Sequence, residues 1–159
     1  ADVAYALVDS VAFVAAHGVR LVSLDELLAQ ADIVSLHAPA TPQTEWMINR
    51  QTLAQMKRGA VLVNTARGSM VDEADLAQAL AEGHLLGAGL DAYQVEPLPL
   101  DSPLLKRDNV LLAPHMGGLD EESEVAMSRL AAECLANLYR GTWPEGCVVN
   151  AGLRPGWQW

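Results

Sequence analysis

Positive charge is scarce in this chain. Ten lysines and arginines stand against twenty aspartates and glutamates over 159 residues, a formal charge of −10 with the histidines neutral. Such a surface repels phosphate backbones and anionic bilayers, so neither nucleic acid nor a membrane surface is expected as a partner. Cysteine is nearly missing too. Cys134 and Cys147 are the two present, they lack metal-ligand spacing, and no metal site is expected. They read as free thiols of a reducing compartment, which favours the cytoplasm. No apolar run is long enough to span a bilayer. The apolar N-terminal stretch is broken by Asp2 and Asp9 and has no basic region ahead of it, so it does not read as a cleavable signal. Internal repeats and low-complexity segments are absent as well.

What is present is an ordinary globular composition, 51% hydrophobic and 19% charged. A length of 159 residues suits one domain with a single sizeable core. The stretch that organises it is 61–72. Val61, Leu62 and Val63 form a short apolar run, as expected of a strand buried on both faces of a parallel sheet. Asn64 to Ser69 then place small and polar groups at its carboxyl end. Asp72, with Glu73 and Asp75 behind it, announces a helix to Glu82, with Leu76, Ala79 and Leu80 facing the core and Gly83 as its stop.

Around this stretch, strands and helices alternate. Residues 1–17 fit either a helix carrying Val3, Leu7, Val11 and Val14, or a strand at Val3 to Tyr5 followed by a helix from Asp9. Val19 to Val22 reads as a strand, and Ser23 with Glu26 as a capping box for a helix to Gln30. Ile33 to Leu36 reads as a buried strand, and Asn49 as the cap of a helix through Met56. Leu86 to Tyr93 and Val110 to Ala113 are further strands. The proline-bearing segment 94–108 between them is mostly loop. A long helix from Glu121 to Tyr139 should offer Val125, Leu130, Cys134, Leu135 and Leu138 as an apolar face, and Trp143, Trp157 and Trp159 in the tail should pack on a surface. The architecture expected is α/β: a largely parallel sheet with helices on both faces.

Open sheets of this kind bind ligands just beyond the carboxyl ends of their strands. Three successive strand ends carry Arg67, then Asp91 with Glu96, then His115. A guanidinium fork matches a carboxylate. A histidine beside a carboxylate has its charged form favoured and can donate a proton near neutral pH. This set suits reduction of a 2-keto acid or oxidation of the 2-hydroxy acid. It cannot itself carry hydride, so a nicotinamide cofactor is implied. Each residue also has a plainer reading: Arg67 as a loop cation, Asp91 as an acceptor for turn amides, Glu96 as a solvated acid and His115 as a satisfied loop histidine. His17, His37 and His84 read as structural or surface residues.

Asn64-Thr-Ala-Arg-Gly68, Gly89-Leu-Asp-Ala-Tyr93 continuing to Glu96-Pro97, and Pro114-His-Met-Gly-Gly118 stand in the order and spacing of one family. Over roughly residues 19–140 the chain resembles the D-isomer-specific 2-hydroxyacid dehydrogenases, which include phosphoglycerate, glycerate and D-lactate dehydrogenases. Asp32 to Pro39 and Thr41-Pro-Gln-Thr44 match the strand and loop of that family that meet the dinucleotide. The resemblance implies a Rossmann-type cofactor domain and NAD, with NADP as the alternative. It implies that Arg67 orients the substrate carboxylate, that His115 is the proton donor in reduction and that Glu96 is its partner. Asp91 would meet the nicotinamide carboxamide. Ala38, Pro39, Thr44, Thr65, Ala66, Arg67 and His115 would line the cofactor, and Gly117 and Gly118 would let the backbone approach the nicotinamide.

The departures from the family are as informative. These 159 residues hold no Gly-x-Gly-x-x-Gly loop, so the first strand and the helix that seats the pyrophosphate are not matched. If Val3-Ala4-Tyr5 is the second strand, Ala6 stands where the ribose-reading acid belongs. The substrate domain of the family is not matched either. The expectation is a truncated dinucleotide-binding domain over 1–159, with 1–18 of open structure, a core over 19–140 and a tail over 141–159. In the doubly wound order the first strand is central, and without it the sheet is incomplete. Exposed strand edges favour association, so a homo-oligomer is expected. The functional expectation is an NAD(P)-dependent 2-hydroxyacid oxidoreductase; the alternative is a non-catalytic relative acting as an assembly or partner-binding module.

Overall fold

The structure, a computed structural model, describes residues 3–5, 16–150, 152 and 154. They fall into two compact units, Ala1–Met116 and Gly117–Trp159. In the first, β1 (Val3–Ala4) pairs in parallel with β2 (Arg20–Leu21). A separate four-stranded parallel sheet follows, of β3 (Ile33–Leu36), β4 (Val61–Asn64), β5 (Gly87–Leu90) and β6 (Val110–Leu112), in that spatial order. The helices between are α1 (Leu24–Gln30), α2 (Arg50–Gln55) and α3 (Glu73–Ala81). The parallel α/β architecture is therefore as expected, with the strands divided between a two-stranded and a four-stranded sheet. The helical reading of Leu7, Val11 and Val14 lies outside the described residues, as do Ala6, Trp157 and Trp159.

Local chemistry accounts for the elements. Ser23 Oγ accepts from the Glu26 amide at 3.2 Å and starts α1. The reciprocal half of the expected capping box is missing, because the Glu26 carboxylate is bonded to Arg20 at 2.6 Å and to Gln30 at 3.0 Å instead. At α2 the full box is made by Asn49 and Thr52. Asp72 accepts from the Ala74 and Asp75 amides, both at 3.0 Å, and caps α3, whose charged first turn suits the helix dipole. Gly83, at φ 64°, ends that segment in the left-handed region.

One face of the four-stranded sheet is filled. Val34, Leu36, Leu62, Ala88 and Leu90 point into a core completed by Leu28 of α1, Leu53 of α2 and Leu76 and Leu80 of α3, and the three helices pack side by side. Each fully buried leucine contributes about 2 kcal/mol of transfer free energy. The alternate residues of the same strands carry the other face, where Ile33 is 67% and Leu111 74% exposed. Within the first unit, then, α1 to α3 cover a single face.

In the second unit, α4 (Glu121–Tyr139) has the bounds expected, with Asp120 as its cap and Ser123 N 2.9 Å from Oδ1. Its expected apolar face is not buried: Val125, Leu130 and Leu135 are exposed, and Cys134 and Leu138 are half-buried. Spacing along a helix reports which residues share a face, not whether anything covers them. No helix among the described residues is long and apolar enough to cross a membrane.

Candidate active site

The carboxyl ends of β4, β5 and β6 carry the three expected groups. The turn after β4 is built by Asn64, which is fully buried. Its Oδ1 accepts from Ala66 N and its Nδ2 donates to Arg67 O, both at 3.0 Å. This side-chain mimicry of a turn leaves Thr65 and Arg67 exposed, with Ala66 half-buried between them. The Arg67 guanidinium donates to Ala66 O at 2.6 Å and makes no ion pair among the described residues.

Beyond β5, Asp91 is buried and its Oδ1 accepts from Met116 N at 2.8 Å. The chain then turns through Tyr93, and Glu96 Oε1 accepts from Tyr93 N at 3.0 Å. Beyond β6, His115 adopts φ 56°, a left-handed conformation in which histidine is enriched among non-glycine residues. That turn brings His115 Nδ1 to 2.7 Å from Glu96 Oε2. The two side chains remain 49% and 38% exposed. The Tyr93 amide, first, and then the His115 ring hold the Glu96 carboxyl below the ordinary glutamate value of 4.5, and the Arg67 guanidinium adds to this.

Gly68 packs the Arg67 turn onto the Glu96 turn. A Cβ there would lie 1.9 Å from the Tyr93 carbonyl carbon and 2.4 Å from Gln94 N, so only glycine fits. Gln94 extends the junction: its amide donates to Glu73 Oε1 at 2.6 Å, and its side chain donates to Val71 O at 2.9 Å. Arg67, Glu96 and His115 are thus mounted on three turns locked to one another.

The remaining expected residues have varied settings. Ala38 is half-buried and Pro39 exposed beyond β3. Thr44 is fully buried, with Oγ1 accepting from Thr41 N and donating to Pro39 O, each at 2.8 Å, and it shapes this loop from inside. Gly117 and Gly118 belong to the second unit, in the turn before α4, and a Cβ at Gly118 would meet nothing. His84 Nε2 meets Leu53 O and His37 Nε2 meets Ser35 Oγ, both at 2.9 Å. Among the described residues no cluster of His, Cys, Asp or Glu could hold a metal.

Two contributors escaped the reading by residue type, Asn64 and Tyr93. An Asn-Thr-Ala run at a strand end carries a turn signal; the tyrosine carried none beyond its place in the motif.

The nicotinamide end of a dinucleotide finds fitting groups here. A buried carboxylate, an exposed guanidinium and a histidine–carboxylate pair stand on one rim. Gly89 on β5 leaves room for a Cβ with nothing inside 4 Å. No glycine-rich pyrophosphate turn is present in these 159 residues.

Residues 3–117 match the family model of the D-isomer specific 2-hydroxyacid dehydrogenase NAD-binding domain. The chain is 45% identical over 144 residues to a glyoxylate reductase of Korarchaeum cryptofilum, covering 89% of this chain and 43% of that protein. It is 47% identical over 131 residues to a glyoxylate/hydroxypyruvate reductase B of Yersinia pestis, covering 82% of this chain and 40% of the relative. The NAD-complexed crystal structure of a D-isomer specific 2-hydroxyacid dehydrogenase from Lactobacillus delbrueckii ssp. bulgaricus superposes with a TM-score of 0.79 at 32% identity, over 90% of this chain and 46% of that one. The chain thus spans less than half the length of the curated relatives it matches. By sequence, by fold and by the matched motifs, it belongs to the D-isomer specific 2-hydroxyacid dehydrogenase family, within its NAD-binding domain.

Proposed function

We propose that the protein is an NAD(P)-dependent oxidoreductase that interconverts a small 2-keto acid and its 2-hydroxy acid. The observation that carries this is the 2.7 Å contact between His115 Nδ1 and Glu96 Oε2. With Nδ1 committed to the carboxylate, Nε2 is the nitrogen left to face a substrate oxygen. When bound, the nicotinamide supplies or accepts the hydride. In reduction, His115 gives its Nε2 proton to the oxygen of the keto group as C2 becomes tetrahedral. The ring is left neutral, its Nδ1 proton still bonded to the ring and donated in a hydrogen bond to Glu96. Arg67 holds the substrate carboxylate, its fork having no other anionic partner among the described residues. Asp91 takes the nicotinamide carboxamide side, with Ala38, Pro39, Thr65 and Ala66 around the dinucleotide and Thr44 holding the loop after Pro39 from inside. The names of the relatives point to glyoxylate and hydroxypyruvate as the first acids to test.

Calorimetric titration with NADH, followed by glyoxylate-dependent loss of NADH absorbance, tests the reading. Saturable binding is expected, with turnover that His115→Gln lowers by about 10²–10⁴-fold. Turnover unchanged by that substitution would overturn the role of His115. A silent titration of folded chain would favour a non-catalytic assembly module, the reading that the divided sheet supports. We further propose a homo-oligomer in the cytoplasm, on the exposed Ile33, Leu111 and α4 residues and the two free thiols. A monomer by light scattering at micromolar concentration would count against the oligomer.

A further inference from the structure

Beyond its place in the motif, Tyr93 sits at the junction of all three turns. β5 and β6 are hydrogen-bonded up to Ala113 N, which donates to Leu90 O at 2.9 Å. The next residue is Pro114, which has no N–H, so the ladder cannot continue. The strand leaves the sheet there, one residue before the left-handed His115. Two side chains from the segment after β5 take over from the ladder. Asp91 Oδ1 accepts from Met116 N at 2.8 Å. The Tyr93 hydroxyl lies 2.7 Å from Ala113 O and 3.0 Å from Leu90 O. A hydroxyl has one proton to give, and the shorter contact goes to Ala113. The ring itself is packed in the core, 8% exposed, so the hydroxyl is aimed by a fixed body.

The same residue's amide holds Glu96 Oε1 at 3.0 Å. Tyr93 therefore grips both partners of the proton-transfer pair: Glu96 through its backbone, and the root of His115 through its hydroxyl. We propose that Tyr93 is a positioning residue for the reaction, its hydroxyl fixing the Pro114–His115 turn so that the imidazole meets Glu96. This deepens the reading of His115 and Glu96 as the proton-transfer pair and rests on it.

Burial is the main reason the phenol is held above its ordinary value of 10, with Asp91, Glu73 and Glu96 adding to it, so it stays a proton donor across the neutral range. The charged groups facing Glu96 are His115 and Arg67. A loosened His115 turn would withdraw the imidazole from Glu96 and leave the Tyr93 amide in place. The Glu96 carboxyl would then titrate higher, while the fold keeps its core.

Carbon-detected NMR titration of Glu96 in the 159-residue chain reads this without cofactor or turnover. Three forms are compared: unmodified, His115→Asn and Tyr93→Phe. Tyr93→Phe keeps the ring and the amide and removes only the hydroxyl. The expected result is a Glu96 midpoint raised in both variants, in Tyr93→Phe by about half a pH unit, a roughly threefold weaker acid. A midpoint raised by His115→Asn and unmoved by Tyr93→Phe overturns the proposal and leaves the pair standing. A midpoint unmoved by His115→Asn overturns the pair itself, and the proposal with it. Incorporated 3-fluorotyrosine supplies a second measurement that deletes nothing. The fluorine resonance of Tyr93 should follow the Glu96 midpoint, and a flat resonance through that titration overturns the proposal even if Tyr93→Phe does not fold.

Discussion

Gly68→Ala should be strongly damaging, although it adds a single methyl group. The added Cβ would lie 1.9 Å from the Tyr93 carbonyl carbon, 2.1 Å from its oxygen and 2.4 Å from Gln94 N. All three are backbone atoms, so no side chain can swing aside. Ordinary contact begins near 3.4 Å, and the Arg67 and Tyr93 turns must therefore separate by about 1.5 Å. Both turns are pinned, one by the buried Asn64 and the other by bonds from Gln94 to Val71 and Glu73. Overpacking of this kind costs about 3 kcal/mol, which lowers the melting temperature by roughly 6–12 °C in a chain of this size. The separation also moves Arg67 away from Glu96 and His115, and a shift of about 1 Å at a reacting centre costs on the order of 10²-fold in rate. Gly89→Ala is the matched control: its Cβ would meet nothing within 4 Å, and it should be neutral or slightly stabilising. Thermal melts of the two variants against the parent decide the matter. Equal melting temperatures for both would refute the packing argument.

Asn64→Ala removes both side-chain bonds that form the Arg67 turn and should cost about 2 kcal/mol in urea denaturation, with the loop amides around Ala66 exchanging faster. Arg67→Lys keeps the charge and loses the fork, so kcat/KM for a keto acid should fall at least about tenfold, with the melting temperature unchanged. Because the Glu96 carboxyl is held below 4.5 by the Tyr93 amide and then His115, the folded state binds that proton less readily than the unfolded chain. Its contribution to stability is complete above 4.5 and fades as pH falls through the lowered value. The stability difference between the parent and Glu96→Gln, measured by denaturant melts, should be full at about pH 6 and shrink progressively as the pH falls below 4.5; a difference that does not change with pH would sink the assignment.

Much of this was legible from the amino acids, and the reasons are local. Caps such as Asp72 and Asn49, and stops such as Gly83, act within a few residues of themselves, so α2 and α3 could be placed from spacing. The convergence of Arg67, Glu96 and His115 was legible because parallel strands deliver their carboxyl ends to one rim. Long-range choices were not legible. Glu26 had two ways to spend its carboxylate, on its own helix cap or on Arg20 and Gln30, and only the packed structure shows the second. The strand expected from Leu86 to Tyr93 stops at Leu90, because Asp91 and Tyr93 turn to hold the segment around His115. The periodicity of α4 was correct, yet whether a partner surface covers Val125, Leu130 and Leu135 is not a property of the helix.

The order of the four-stranded sheet also bears on how the chain assembles. Ile33 pairs with Val61, Val61 with Gly87, and Ala88 with Val110, so each strand docks on the one just made, closing a loop of roughly 25 residues. Among the four strands no pairing waits for a distant part of the chain. Growth can proceed one strand-and-helix unit at a time, with each new edge templating the next, and this keeps the entropy of every step small. The rim that gathers Arg67, Glu96 and His115 therefore depends on β6 being in place, since His115 follows that strand.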